Sequence, residues 1–227
     1  MSTSPVTRLL AAACLVATGL ATVISAALKP STSGLDRAAI DTFATHRGQV
    51  NGMLTADLFV LLLGAAIAVA ALLVRPRFPK LAATAGWLGI ISGSAMVFLV
   101  GTDFATWAAV DTDRAASAKL LDNLTSTPQF PVFLILGLAG GLVAFVCLGV
   151  GLWRARAVPR WAAAALIAYQ PANVLLGDAG PVPFAAANAL LLVGFTACAV
   201  TIVRTGFPGT AEGESALPPT AAPIPAR

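Results

Sequence analysis

The sequence predicts an all-α protein, a polytopic bundle of six transmembrane helices. Six long apolar stretches fill the chain, and its charged residues lie almost entirely between them. These stretches are apolar on every side, whereas the strands of a membrane β-barrel alternate apolar and polar residues. Hydrophobic residues make up 58% of the chain and the mean hydropathy is +0.86. A soluble domain of this composition would expose large apolar patches, so the soluble class is excluded.

The apolar stretches have the length of membrane-spanning helices. An α-helix of about 20 residues, rising ~1.5 Å per residue, crosses roughly 30 Å of hydrocarbon. The predicted spans cover residues 9–28, 54–74, 81–101, 131–153, 161–176 and 183–203. Residues 1–207 are therefore predicted to form one transmembrane domain. The remaining segment, 208–227, is rich in Pro and Ala without periodicity and is predicted to be a disordered tail.

The first span admits a second interpretation, a cleaved signal peptide. A short basic start and the small residues around Ser25 fit a signal sequence. Against this, the apolar run of about 20 residues exceeds the usual 7–15 of a signal peptide's apolar core. The pattern favours an uncleaved helix, and the alternative stays open.

The basic residues predict the orientation. Nine of the fourteen Lys and Arg fall in one set of alternate gaps, mostly in short junctions: Arg8, Arg75, Arg77, Lys80, Arg154, Arg156, Arg160, Arg204 and Arg227. Short basic junctions stay in the cytoplasm, so both termini are predicted to be cytoplasmic. The same distribution accounts for the net charge of +4, and no nucleic-acid partner is expected.

Two long outer segments, residues 29–53 and 102–130, each contain a helix-like pattern. The patterns lie at residues 35–43 and 112–124. We interpret them as short interfacial helices lying over the bundle. The third outer connection, residues 177–182, is a tight turn, which makes the last two spans antiparallel neighbours.

A weak internal repeat predicts three helical hairpins in parallel repeat. The motif at 78–80 (Phe-Pro-Lys) and the motif at 158–160 (Val-Pro-Arg) each precede an alanine-rich run, and Asp-Arg-Ala-Ala occurs at 36–39 and 113–116. Two spans per unit preserve the orientation, so such repeats would be parallel. Abundant alanine and the usual basic residues at inner helix ends would produce the same likeness without duplication.

Polar residues near the outer helix ends are the functional lead. Asp57 begins the second predicted span, Asp103 follows the third and Asp178 follows the fifth, while Asn173 and Asn188 lie about a turn inside the last two spans. Ionisable groups at such a depth are costly and often functional. One hypothesis is an outward-open polar cavity that binds a cation or polar ligand, with Asp178, Asn173 and Asn188 facing one another. The other is hydrated helix ends plus interhelical amide hydrogen bonds.

Signatures of known enzyme classes are missing from the sequence. It contains no HExxH, GxSxG, P-loop or CxxC motif. The one histidine, His46, cannot form a multi-histidine metal site, and the three cysteines lie inside predicted spans. We therefore predict no catalytic residue, no metal and no cofactor.

The stretch GLWRARAVPRWAAAALIAY (residues 151–169), with DRAASAKLLDNL upstream of it, resembles uncharacterised six-helix membrane proteins, of the domain-of-unknown-function class, from high-GC actinobacteria. The resemblance covers about the second half of the chain. It implies a bacterial plasma-membrane location and assigns no catalytic residues.

Two functional hypotheses follow. The first is a non-enzymatic membrane protein that acts as a partner or stability factor for other membrane components, or associates with copies of itself. The second is a small transporter or permeation protein that uses the outer acids and amides. Both place the protein in the lipid bilayer.

Overall fold

The computed structural model describes residues 4–31 and 37–207 and is helical through most of them, with no strand in either range. The predicted tail at 208–227 lies outside the described residues. Within them the helices are α1 (Pro5–Leu28), α2 (Arg37–Thr45), α3 (Arg47–Val60), α4 (Leu63–Ala71), α5 (Pro79–Ala109), α6 (Arg114–Thr125), α7 (Gln129–Ala155), α8 (Arg160–Leu176) and α9 (Pro181–Thr205).

Five helical segments are long and apolar enough to cross a membrane: Pro5–Leu28, Arg47–Ala71, Pro79–Ala109, Gln129–Ala155 and Pro181–Thr205. The prediction of an all-α protein with membrane-spanning helices is confirmed at this level. The fifth predicted span corresponds to α8, which has 17 residues and is about 25 Å long at ~1.5 Å per residue. The sixth span therefore stays a prediction, as does the hairpin repeat.

The second span differs from its predicted bounds of 54–74. The helix starts at Arg47 and is interrupted between α3 and α4. Residues 47–53 are more polar than the predicted span, yet they are helical because Val50 and Met53 are fully buried. Hydropathy does not detect a tertiary contact of this kind. At the interruption the Leu62 N–H bonds to the Phe59 carbonyl at 3.1 Å, a three-residue spacing that tightens the helix locally.

The third span also extends beyond its predicted end at residue 101. Helix α5 continues to Ala109. Thr102 and Thr106 are buried there, and their hydroxyls donate to helix carbonyls, those of Leu99 at 2.6 Å and Thr102 at 2.8 Å. These bonds satisfy the hydroxyls inside the bundle, so the polar sequence does not end the helix. Asp103 consequently lies within α5.

The long helices form a closed ring. Helix α1 packs against α9 and against α3 and α4, and the ring continues through α5, α7 and α8 back to α9. Glycines allow two of the closest approaches. A Cβ on Gly19 would lie 2.8 Å from the Leu192 Cα, and a Cβ on Gly93 would lie 2.7 Å from the Gly64 Cα. The tight turn does make α8 and α9 neighbours, as predicted.

Apolar residues fill the ring and also cover much of its outside. The largest buried side chains of the main core include Leu15, Ile67, Phe145, Leu166 and Phe195. Large apolar side chains on the outer faces are exposed, among them Leu10, Leu20, Ile135, Leu138 and Val193. An exposed apolar surface of this extent suits contact with lipid.

Both short helices predicted from the outer loops are present, as α2 and α6. They pack on the ends of α3 and α5 through a core cluster that includes Ile40, Phe43 and Leu121. We call this end of the bundle the capped end. Asp113 caps α6 by accepting hydrogen bonds from the backbone N–H groups of Ala115 and Ala116. Without such a cap, the N–H groups in the first turn of a helix have no partner within the helix.

Candidate functional site

Three helices place polar side chains together at the capped end of the bundle, beneath the short helices α2 and α6. Helix α1 contributes Ser25, and Lys29 follows its last residue; α3 contributes Asp57 and α5 contributes Asp103. We call these four residues the acidic centre. Ser25 and Lys29 are four residues apart, so a helix ending between them presents both on one side. The centre thus combines two carboxylates, one ammonium and one hydroxyl.

Asp57 is the buried member of the acidic centre. The residue is 3% exposed. The Ser25 Oγ donates a hydrogen bond to Asp57 Oδ1, whereas Oδ2 is buried and has no hydrogen-bond partner among the described residues. The expectation that Asp57 is a hydrated residue beginning the second span is therefore wrong. The reason is that the helical segment begins at Arg47 and runs to Ala71, which places Asp57 in its interior.

Asp103 and Lys29 form the partly exposed side of the centre. The Lys29 Nζ lies 3.7 Å from Asp103 Oδ2, and the two side chains are 41% and 18% exposed. Both charges are close enough to act electrostatically on Asp57. If all three groups are ionised, the centre carries one excess negative charge.

The acidic centre lies between two apolar layers. On the inner side are Ala21, Ala56 and Val60, with Met96 packed against them. On the capped side is the cluster that contains Met53 and Leu54. Charges interact more strongly in such surroundings than in water, and a buried carboxylate without a counter-charge is costly there.

The amide residues form a second group, between α8 and α9. The Asn173 Nδ2 donates to Asn188 Oδ1 at 3.3 Å and lies 3.4 Å from the Tyr169 hydroxyl. The Asn188 Nδ2 donates to the Phe184 carbonyl at 2.9 Å. The prediction that Asn173 and Asn188 face each other is confirmed. Both side chains are paired within the protein, which is typical of a structural contact.

Asp178 does not join this amide pair, contrary to the sequence expectation. It lies after α8 ends, next to the C-cap Gly177, and is exposed. Within residues 4–31 and 37–207 it makes no hydrogen bond or ion pair, and none connects the amide pair to the acidic centre. The five candidate residues thus divide among the acidic centre, the amide pair and a solvated turn.

Sequence reasoning missed Ser25 and Lys29. Ser25 resembled part of a signal-peptide cleavage site, and Lys29 resembled a loop residue. The signal that identifies them is their four-residue spacing across the end of an apolar helix, which brings a hydroxyl and an ammonium to one face. Which carboxylates they meet depends on how α1 packs on α3 and how α3 packs on α5.

The donor set of the acidic centre fits a small positive charge better than a transition metal. In the described part of the chain no group of three or more His, Cys, Asp or Glu is clustered. Transition metals prefer imidazole and thiolate ligands, whereas carboxylate and hydroxyl oxygens suit hard cations.

Comparison with protein-family models, with curated proteins and with solved structures finds no match to this chain.

Proposed function

We propose that the protein is a small cation-binding transport protein of the bacterial plasma membrane, with the acidic centre as its binding site. In this proposal α8 is the sixth span, both termini are cytoplasmic, and the capped end faces outward. The role is non-enzymatic. Cations reach Asp57 from the capped end, past the partly exposed Asp103 and Lys29.

The observation that carries the proposal is the unpartnered Oδ2 of Asp57. A buried polar atom without a partner costs about 1–3 kcal/mol, and more when the group is charged. A purely structural contact would be better served by an amide or by a fully paired carboxylate. A bound cation supplies both the missing partner for Oδ2 and the missing positive charge.

The interruption of the second span supports a transport role. The Leu61 N–H bonds to the carbonyl of Asp57 at 3.2 Å, so Asp57 lies directly before the break between α3 and α4. Ion sites of transporters commonly lie at irregular points of membrane helices, and the tightened turn at Leu61 and Leu62, whose backbone angles stay helical, is such a point. The break also follows Val60, which belongs to the apolar layer below the centre.

Helix α8 is short, but it has features of a complete membrane span. It occupies one place in the closed ring, between α7 and α9. Trp161, in its first turn, is 62% exposed, and tryptophan is enriched at membrane interfaces. A helix of about 25 Å crosses a bilayer that thins locally around it.

Cation flux into liposomes tests the proposed function. The wild type, Asp57→Asn and Asp178→Asn would be reconstituted, and the movement of Na⁺, K⁺ and H⁺ measured in each. We expect protein-dependent flux of at least one of these ions, its loss in Asp57→Asn, and its retention in Asp178→Asn. The last variant removes the same charge from an exposed turn and is the matched control.

Two results would overturn the transport proposal. One is wild-type flux no faster than in protein-free liposomes for all three ions. The other is full flux in Asp57→Asn. Either result would favour the alternative hypothesis, a non-enzymatic partner or stability factor for other membrane components.

A further inference from the structure

We propose that Lys29 selects the charge of the bound ion, restricting the acidic centre to a monovalent metal cation such as Na⁺ or K⁺. The inference rests on the proposed function and specifies its ligand class. It assigns Lys29 a role as a specificity-determining residue, because its ammonium neutralises one of two carboxylates and leaves one charge for the ion.

The charge balance of the centre is the first step. When both are ionised, Asp57 and Asp103 together carry two negative charges, and Lys29 offsets one of them. A monovalent cation on Asp57 Oδ2 makes the centre neutral. A divalent ion would leave an excess positive charge in an apolar setting, which is unfavourable.

The nearest ion pairs of the capped end form among its own residues and do not involve the acidic centre. Arg47 forms an ion pair with Asp111, and Arg114 forms one with Asp41 at 2.6 Å. Arg37 also lies 4.0 Å from Asp41. These pairs are solvent-exposed and therefore screened. The three charges of the acidic centre set its local electrostatics.

The Lys29–Asp103 contact is long enough to leave Asp103 available to an ion. At 3.7 Å it is looser than the pair between Arg114 and Asp41 at 2.6 Å. Oxygen atoms of Asp57, Asp103 and Ser25 could then contribute to one site. This small donor set also disfavours Ca²⁺, which usually takes 6–8 oxygen ligands.

The test measures how cations shift the melting temperature of the purified, detergent-solubilised protein at constant ionic strength, with N-methylglucamine chloride as the reference. In the wild type we expect Na⁺ or K⁺ to raise the melting temperature and Ca²⁺ to add nothing further. In Lys29→Gln the centre carries two excess negative charges. The apparent Kd for Ca²⁺ should fall by about tenfold or more, because an opposing charge has been removed.

Three further variants separate the explanations. Lys119→Gln removes an exposed lysine of α6 and should behave as the wild type. Lys29→Arg keeps the charge and should keep the monovalent preference. Asp103→Asn leaves Asp57 balanced by Lys29 alone and should abolish the Na⁺ or K⁺ effect, which provides a test even if Lys29→Gln does not fold.

The outcomes distinguish the inference from the proposed function. If Na⁺ or K⁺ stabilises the wild type through Asp57 but Lys29→Gln gains no Ca²⁺ response, or Asp103→Asn keeps the monovalent response, the role of Lys29 is wrong and the binding site stands. If neither Na⁺ nor K⁺ stabilises the wild type while liposomes show Asp57-dependent H⁺ flux, the metal-ion inference is wrong and transport stands. If flux is absent as well, the proposed function fails.

Discussion

The Asn173 Nδ2 donates a hydrogen bond to Asn188 Oδ1 at 3.3 Å, joining α8 to α9 on the side of the turn that connects them. Asn188 is 3% exposed, so this contact is internal. Interhelical bonds of this kind stabilise membrane bundles without the need for a ligand. The pair therefore helps to fix the position of α8, which has 17 residues and is shorter than its neighbours α7 and α9.

Replacing Asn173 by Leu should lower the free energy of unfolding by on the order of 1 kcal/mol, because the interhelical bond is lost. Denaturation in detergent would measure the change. The matched control is Ser94→Leu, since Ser94 is exposed and its hydroxyl bonds only within its own helix, to the Ile90 carbonyl. Equal stability of the two variants would contradict a structural role for the amide pair, and a lost cation response in Asn173→Leu would contradict its separation from the acidic centre.

Gly93→Ala should destabilise the bundle by about 1–3 kcal/mol through overpacking. A Cβ at this position would meet the backbone of Gly64, with its Cα and N both at 2.7 Å, and backbone cannot move aside as a flexible side chain can. Gly101→Ala is the control, because no atom from another helix lies within 4 Å of its added Cβ. That variant should be neutral or stabilising by up to ~1 kcal/mol from helix propensity. The same sign of change in both would contradict the close approach of α4 and α5.

The capped end should lose stability in acid through Asp111. The Arg47 guanidinium donates two hydrogen bonds to this carboxylate and holds the pKa of Asp111 below its ordinary value. A lowered folded-state pKa stabilises the protein above the unfolded-state pKa of about 3.9, and the contribution is lost as the pH falls through the folded-state pKa.

Melting temperatures of the wild type and Asp111→Asn should therefore differ slightly at neutral pH and converge as the pH falls below about 4. High salt should also reduce the difference, because both groups are exposed. Asp122→Asn is the control, since Asp122 makes no ion pair among the described residues. A difference between wild type and Asp111→Asn that persists unchanged at low pH would contradict the pairing.

Compartment-sensitive reporters test the orientation and the sixth span. Fusions after Ala157 should report a cytoplasmic location, and fusions after Ala179 an outer one, because α8 separates the two sites. A fusion near Lys119 should also report an outer location. Identical compartments for Ala157 and Ala179 would show that α8 does not cross the membrane.

The sequence predicts most of the helices because their signals are local. Continuous apolar runs predict the spans, and the helical patterns at 35–43 and 112–124 predict α2 and α6. The contact between Asn173 and Asn188 is predictable too, since a short turn fixes their matching depths. All these features depend on residues that are near one another in the chain.

The acidic centre is not predictable in the same way because it depends on packing. Hydropathy starts the second span at residue 54, whereas the burial of Val50 and Met53 extends the helix back to Arg47. Asp57 is therefore inside the protein. Lys29 reaches Asp103 because α3 packs against both α1 and α5 and so brings the two side chains together. Tertiary contacts of this kind do not produce a recognisable hydropathy pattern in a single sequence.

The most direct test of the account is equilibrium binding of radioactive sodium or of a potassium analogue to the purified protein. The account predicts saturable binding of a single ion per chain in the wild type and in Asp178→Asn, and its loss in Asp57→Asn. Saturable binding that is undiminished in Asp57→Asn, or no saturable binding in the wild type, would contradict the claim that the buried carboxylate is a cation site.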